Sequence, residues 1–442
     1  MISGGGDGLG LLFRLKLEGH QTACWIRDKR SKQDYDGLLL KKERWEEWID
    51  QETVIIFDST GGGRIADRLK AAGHFVFAGS SFADQFEIDR QVAFEICSKV
   101  GIKIPKTESF YDWESGKTYT RSRNDTRLCF KPSGSLSGIM SYLAYDAEDM
   151  VEMLDFFSKK GKGQVEYSLQ DFVEGVEIST EGWFNGREFM TPFNHTIERK
   201  QLMNDNLGPS GGCAGNIVWH LKEVDKIVQE AVLPLEEVLR YNNYIGPWDS
   251  NCIVNSEGCW FLEGTPRFGY DAMPAFLETL DQPLGELISS MAREEHPSHL
   301  LIKEGFGSAL RLTTPPYPSD MMKAEGDLPI RGFKASDRKH LYFYNVKLDE
   351  KAQSTTTPAY GNTMTLTGWG QTIHEAMSGP YSLARKARIP NKQYRTDLVD
   401  LFFTEFYKLE EVLNANTRNA GDDVDKRSSI TTNGKLVSRV EY

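Results

Sequence analysis

Phe261-Leu262-Glu263-Gly264-Thr265-Pro266-Arg267-Phe268-Gly269-Tyr270-Asp271 is the stretch on which the reading of this chain turns. The apolar run from Cys259 to Leu262 reads as a strand that delivers a carboxylate at Glu263. Gly264 and Pro266 read as strand breakers, Arg267 follows two residues after Thr265, and Asp271 closes the segment. Strand, acid, break and arginine make a layout for holding a cation against a phosphate. An ordinary strand ending in a salt bridge has the same layout, so the rest of the chain must decide.

The chain has 442 residues, enough for two to four domains or subdomains. Its 52 basic and 64 acidic side chains give a net charge of −12, which argues against a general nucleic-acid surface. A local basic pocket for phosphates remains compatible with it. Cys24, Cys97, Cys129, Cys213, Cys252 and Cys259 are scattered, with no CxxC pair and no zinc spacing. Buried free thiols in a reducing cytoplasm are the expectation. No run approaches the roughly 20 apolar residues of a membrane helix. The N-terminus lacks the basic-then-apolar order of a signal peptide.

Ser3 to Gly8 is a Gly-rich turn, followed by Leu9 to Leu17 at helical spacing. Such a turn at a helix start is an anion cradle. Only Met1 and Ile2 precede it, so the first strand is either very short or cut off at its start. The turn is weak evidence for a nicotinamide cofactor. Val54–Phe57 and Phe75–Phe77 read as parallel strands, with Asp58-Ser59-Thr60-Gly61-Gly62-Gly63 at the end of the first. Alternation of β and α over the first hundred residues predicts a small parallel sheet, with ligands at the carboxyl ends of its strands. Plain tight turns are the alternative. One helix is expected from Phe86 to Val100, and a domain boundary near Pro105.

Arg127–Lys131 reads as a strand, followed by a Gly/Ser hairpin from Pro132 to Gly138. Asp146 caps the next helix. Val176, Ile178 and Thr180 alternate with Glu177, Ser179 and Glu181, and Leu207 to Gly215 reads as a long Gly-rich functional loop. A helix is expected from Glu223 to Arg240. Trp248–Val254 should pair with Trp260–Glu263 across a turn, with Asp249 and Asn251 on one side of their strand. After Leu301 a further small α+β domain is expected, its helix Thr372–Lys386 a candidate for interruption at Gly379-Pro380. From about Ala415 the chain reads as a flexible tail.

In this order the pieces resemble the ATP-grasp carboxylate–amine ligases, and within them the phosphoribosylamine–glycine ligases. The resemblance covers about residues 1–400 and includes Thr367-Gly368-Trp369-Gly370 and Tyr394-Arg395-Thr396-Asp397. It implies an α/β and α+β multidomain fold. A Rossmann-like domain would span residues 1–105 and an ATP-grasp domain 106–300, with its lid at about 127–175. A C-terminal α+β domain would span 301–414, and a tail 415–442.

It also implies a site. Lys131, Ser137 and Gly138 would meet the ATP phosphates, Asp171, Phe172 and Val173 the adenine edge, and Glu177 the ribose. Glu263 and Thr265 would ligate magnesium, or manganese in its place, and the residues' own reading adds Asp249 and Asn251 to that oxygen set. Arg267, Arg199 and Lys200 are the candidate catalytic cations. Gly5, Gly6, Asp7, Asp58, Ser59, Thr60 and Gly61 would shape a phosphoribosyl pocket. Pro209, Ser210, Gly211 and Gly212 would close over the substrates. This chain departs from the family at Glu263-Gly264-Thr265, where Glu-Phe-Asn is usual, and at Ser137-Gly138, where the hairpin usually carries a lysine.

The activity so implied joins a carboxylate to an amine through an acyl phosphate, with release of ADP and phosphate. Glycine and 5-phosphoribosylamine are the default pair, as in purine biosynthesis. The alternatives are a divergent ligase for another amino acid or amine, in nucleotide modification for example, and a nucleotide-binding protein without catalysis. Small-molecule substrates, no nucleic acid, no membrane, and a cytoplasmic monomer or homodimer complete the expectation.

Overall fold

The computed structural model of the protein describes residues 1–133, 141–160, 165–319 and 322–419. The first unit contains β1 (Ile2–Ser3), α1 (Leu9–Leu17), β2 (Ala23–Ile26), β3 (Leu40–Lys41), β4 (Val54–Ile56), α2 (Gly63–Ala71), β5 (Phe75–Phe77), α3 (Ser81–Ile88) and α4 (Arg90–Lys99). β1 pairs in parallel with β2, β2 with β3, and β4 with β5. A parallel bridge from Ile2 to Phe57 joins the two sets, so the strands run β3-β2-β1-β4-β5. The chain winds outward in both directions from the β1–β4 junction, which makes the loops after β1 and β4 a topological switch point. The single helix expected over 86–100 is two helices. Asp89 breaks it, because its carboxylate accepts the amides of Gln91 and Val92 and its backbone is extended.

A second unit has its own core. β6 (Thr107–Phe110), α5 (Trp113–Ser122), β7 (Leu128–Pro132), β8 (Tyr142–Leu143), α6 (Ala147–Lys160) and β9 (Tyr167–Asp171) form an antiparallel sheet, order β6-β9-β7-β8, backed by the two helices. Phe130 stacks on Phe157 at 4.5 Å and Trp113 on Tyr167 at 4.9 Å, over Leu128, Leu154 and Leu169. Ser137 and Gly138 lie outside the described residues.

The third unit is one antiparallel sheet of eight strands. Its elements are β10 (Val176–Phe184), β11 (Asn194–Gln201), β12 (Ser210–His220), α7 (Lys226–Ala231), α8 (Glu236–Tyr241), β13 (Gly246–Asn255), β14 (Gly258–Thr265), α9 (Ala272–Thr279), α10 (Leu284–Ala292) and β15 (Phe306–Thr313). β16 (Leu341–Phe343), β17 (Val346–Leu348), β18 (Ser354–Thr356), β19 (Asn362–Gly370), α11 (Ile373–Lys386) and α12 (Leu398–Asn419) follow. The order β14-β13-β10-β11-β12-β15-β19-β16 carries the sheet straight through Leu301, so the late strands extend the central sheet, with β17 and β18 as a separate pair.

Several local expectations are corrected. The helix expected over 223–240 is α7 and α8, parted by a short 3-10 turn at Leu233-Pro234-Leu235. α11 runs unbroken through Pro380, and Gly368 on β19 lets it approach closely: a Cβ there would lie 2.7 Å from the Pro380 ring. β14 runs through Gly264, where a Cβ would lie 2.5 Å from the Phe86 ring. α12 continues to Asn419, past the expected start of the tail.

The Gly-rich segment 207–215 is not a free loop. From Ser210 on it is β12, paired to β11 with Gln201 opposite Ser210. The hairpin tip is held by the segment before α12. Arg395 donates to Asp397 Oδ1 at 2.9 Å and Oδ2 at 2.7 Å, to Asn206 Oδ1 at 2.9 Å and to the Gln201 carbonyl at 3.2 Å. Asp397 in turn accepts the Asp205 amide at 2.8 Å. Arg395 is 1% exposed. Arg395→Met strands a carboxylate and two carbonyl-type acceptors, and should cost about 3–5 kcal/mol in urea unfolding. Arg395→Lys should recover only part, since a point charge cannot make the fork of bonds.

Candidate active site

The register of three strands builds the site. Ser179 on β10 stands opposite Asn251 on β13, and Glu181 opposite Asp249. Asn251 in turn stands opposite Glu263 on β14, and Asp249 opposite Thr265. Opposed residues share a face, and residues two apart along a strand share it too. Glu177, Ser179, Glu181, Asp249, Asn251, Glu263 and Thr265 therefore line one face, and Thr196, Glu198 and Lys200 join them from β11.

Lys200 Nζ lies 2.7 Å from Glu177 Oε1 and 4.0 Å from Glu263 Oε1. Burial opposes the lysine's charge, yet Glu177, Glu263 and Glu198 together raise its pKa. Burial likewise opposes ionised Glu177, but Lys200 and then Lys131 reverse this and lower its pKa. Lys131, on β7, faces the same carboxylates. Burial and then Arg90 lower its pKa, against the pull of Glu263. Arg90, the first residue of α4, was not singled out from the sequence. Its pKa is lowered by burial and held up by Glu263. Its signal was the helix break at Asp89, which turns Arg90 into the first turn of a new helix. Three cations thus converge on Glu177 and Glu263, an arrangement suited to a polyanion.

The expected metal ligands bring two carboxylates, an amide and a hydroxyl together. Asp249 Oδ1 and Asn251 Oδ1 are buried without a hydrogen-bond partner among the described residues. Burial, then Glu181 and Glu198, push the Asp249 carboxyl well above its usual range. A dication beside these orphaned oxygens would relieve both conditions, so the residues fit an oxygen-seeking metal ion. Among the described residues no group of three or more His, Cys, Asp or Glu stands ready to hold one unaided. Asp171 and Phe172 lie where β9 leaves the four-stranded sheet of the second unit. Asp171 pairs with Arg123 at 2.7 Å, the Phe172 amide reaches the Arg127 carbonyl at 2.9 Å, and Val173 leads on toward β10.

Arg267 and Arg199 are placed differently. Arg267 grips Glu87 of α3 through Nε at 2.9 Å and Nη2 at 2.6 Å, and Nη1 donates to the Phe268 carbonyl. Alternation turns Arg199 to the opposite face from Lys200, where it meets Glu405 of α12 at 3.3 Å. The structure does not bring Arg199 to the cleft.

The loops at the switch point hold carboxylates of their own. Asp58 accepts the Gly4 amide and the Gly8 amide, each at 3.0 Å, and the Ser3 hydroxyl. Asp84 of α3 accepts the Gly61 amide at 2.8 Å and the Gly63 amide at 2.7 Å. Arg27 donates to the Thr60 and Gly61 carbonyls, each at 3.0 Å, and Ser59 Oγ fills the space a Gly4 side chain would need. Asp58 is thus a structural anchor, and the amides expected to cradle a phosphate are in part already taken.

Gly5, Gly6 and Asp7 instead edge a cavity of about 260 Å³ shared with Asp34, Tyr317, Tyr344, Asn345, Tyr360 and Asn362. Arg311 pairs with Asp271 and donates to Tyr317 Oη at 2.6 Å and the Gly211 carbonyl at 3.2 Å. This ties the start of β12 to the cavity wall. Ser210 and Gly212 are exposed beside Gly211, and Pro209 closes the hairpin tip.

Among solved structures, the chain matches phosphoribosylamine–glycine ligase from Thermotoga maritima with a TM-score of 0.68, over 90% of this chain and 98% of that one, at 19% identity. The chain has an ATP-grasp fold. N5-carboxyaminoimidazole ribonucleotide synthetase from the same organism matches with a TM-score of 0.56, at 16% identity, over 88% of this chain and 98% of that one. Among curated proteins, phosphoribosylamine–glycine ligase of Streptococcus pneumoniae serotype 4 is 25% identical over 357 residues, 78% of this ATP-grasp chain and 83% of that protein. The Listeria monocytogenes serotype 4b protein of the same name is 24% identical over 344 residues, 76% and 80% of the two chains. No family model matches the chain. Among the described residues no helix is long and apolar enough to cross a membrane.

Two predictions follow from the site's charges. Lys200→Met should cut ATP-dependent turnover at least about 100-fold and shift urea unfolding by no more than about 1 kcal/mol, because the lysine is a third exposed. Arg199→Met should do the reverse, lowering stability while sparing turnover. The second concerns Asp34, which is 1% exposed. Burial raises its carboxyl from 3.8 to about 7, against hydrogen bonds from Thr357, Ser31 and Asn345. A raised pKa means the folded state holds the proton that the unfolded state releases. Its contribution is therefore full below about pH 4 and lost as pH climbs to about 7. Wild-type stability to urea should fall by about 1–4 kcal/mol across that window, and Asp34→Asn should flatten the slope.

Proposed function

We propose that the protein is an ATP-dependent carboxylate–amine ligase that activates its acid substrate as an acyl phosphate. The observation that carries this reading is the convergence of Lys131, Arg90 and Lys200 on Glu177 and Glu263, on an ATP-grasp scaffold. The three cations hold the phosphate chain and stabilise charge as the γ-phosphoryl group moves to the carboxylate. Glu177 keeps Lys200 oriented and presents its free oxygen to the ribose. A magnesium ion held by Glu263, Asp249, Asn251 and Thr265 would supply further charge neutralisation at the phosphoryl group. Arg267, locked by Glu87, presents a fixed positive edge beside the reacting carboxylate. The amine then attacks the acyl carbon and phosphate leaves, giving an amide, ADP and phosphate.

Glycine and 5-phosphoribosylamine are the first pair to assay, since the relatives carry that name. A second reading, another amine as acceptor, is favoured by the carboxylates of Asp58 and Asp84 that occupy four loop amides. ADP release measured with glycine plus phosphoribosylamine, and with a panel of amino acids and amines, separates the two. Turnover with the first pair supports the default, and turnover with another acceptor supports the second reading. Saturable ATP binding with no ADP release from any pair would sink the ligase assignment. Glu263→Ala should lower turnover at least about 100-fold, and full activity in that variant would remove Glu263 from the metal set.

A further inference from the structure

The cavity at the switch point is lined by two carboxyls, three tyrosines and two asparagines beside Gly5, Gly6 and Pro318. Asp7, Asp34, Tyr317, Tyr344, Tyr360 and Asn362 line it, and its described lining contains no lysine, arginine or histidine. The arginines around it are already committed. Arg311 is paired with Asp271, Arg267 with Glu87, and Arg30 lies 3.5 Å from Asp28 and over the Tyr360 ring. Arg27, which has no carboxylate partner among the described residues, spends two nitrogens on the Thr60 and Gly61 carbonyls. The loop amides of Gly4, Gly8, Gly61 and Gly63 are held by Asp58 and Asp84.

A phosphate dianion placed here would face the Asp7 and Asp34 carboxyls, with no lysine, arginine or histidine in the described lining. A protonated amine would face the Asp7 carboxylate and the Asn362 Oδ1, which is buried without a hydrogen-bond partner among the described residues. We infer that this cavity binds the amine substrate through a protonated nitrogen other than the one that attacks, and that this substrate carries no phosphate group. The word substrate rests on the ligase reading above; the cation site itself does not. Asp7 is the chief recognition group. It makes no hydrogen bond among the described residues, and it is exposed at the cavity's rim. A bound cation supplies the counter-charge this carboxyl lacks.

The test uses the full chain without ATP, titrated calorimetrically with 1,4-diaminobutane and, separately, with ribose 5-phosphate. Saturable diaminobutane binding, weakened about tenfold in Asp7→Asn, together with no ribose 5-phosphate binding, is the expected result. Binding of ribose 5-phosphate, absence of diaminobutane binding, or diaminobutane binding indifferent to Asp7→Asn overturns it. A circular-dichroism melt of Asp7→Asn checks that the variant folds, which the exposed position of Asp7 favours. ADP release with glycine plus each amine then separates the two layers. Cation binding with no release from any amine defeats the ligase reading and leaves the cation site standing. Release with phosphoribosylamine but not with diaminobutane defeats the inference and leaves the ligase reading standing.

Discussion

The carboxylate and amide face of the cleft is placed by the register in which β13 runs between β10 and β14. Asn251 opposite Glu263, and Asp249 opposite Thr265, set four oxygen-bearing side chains on one face. The side-chain period of a strand is two, so a slip of one residue would turn that set away and present Ser250, Cys252 and Gly264 instead. A bulge between Asn251 and Cys252 lies directly beside the set and fixes the pairing on that side. The pairing of β10 with β13, unbroken from Val176–Val254 to Phe184–Gly246, fixes it on the other. Gly264 belongs to the same constraint: with no side chain it lets the Phe86 ring of α3 close over the strand.

Electrostatics divide the cleft in two. On the side of the β6–β9 unit, Lys131, Arg90 and Lys200 carry charge that burial disfavours and that Glu177 and Glu263 sustain. On the side of the switch point, carboxylates outnumber free cations, and each nearby arginine except Arg27 has an acid of its own. One cleft therefore presents opposite fields on its two sides.

Much of this was legible in the sequence. The apolar run ending in Glu263, the alternation around Glu177, and the spacing of Asp249 and Asn251 are period-two signals that survive without tertiary information. Ala23–Ile26 and Leu40–Lys41 escaped because strands of four and two residues carry too little pattern to count. The glycines of Leu207–Gly215 suggested a loop, but the ladder to β11 and the Arg395 clasp overrode their local preference. Arg199 and Lys200 are neighbours in sequence, and which of them entered the cleft was a matter of strand phase. The capture of loop amides by Asp58 and Asp84 is a long-range event, joining residues 54 and 21 positions apart, and no local motif announces it.

The continuity of the eight-stranded sheet has a consequence for the order of events. β15 and β19 share one hydrogen-bonded ladder with β10–β13, and both Arg311 and Asn362 sit on those late strands. The acceptor cavity's far wall and the Glu263 face therefore belong to one rigid frame, while the β6–β9 unit carries its own separate hydrophobic core. A movement of that unit would leave the distance between the cavity wall and the Glu263 face unchanged. In such a frame whatever occupies the cavity and whatever occupies the Glu263 face are linked through their charges and not through moving walls.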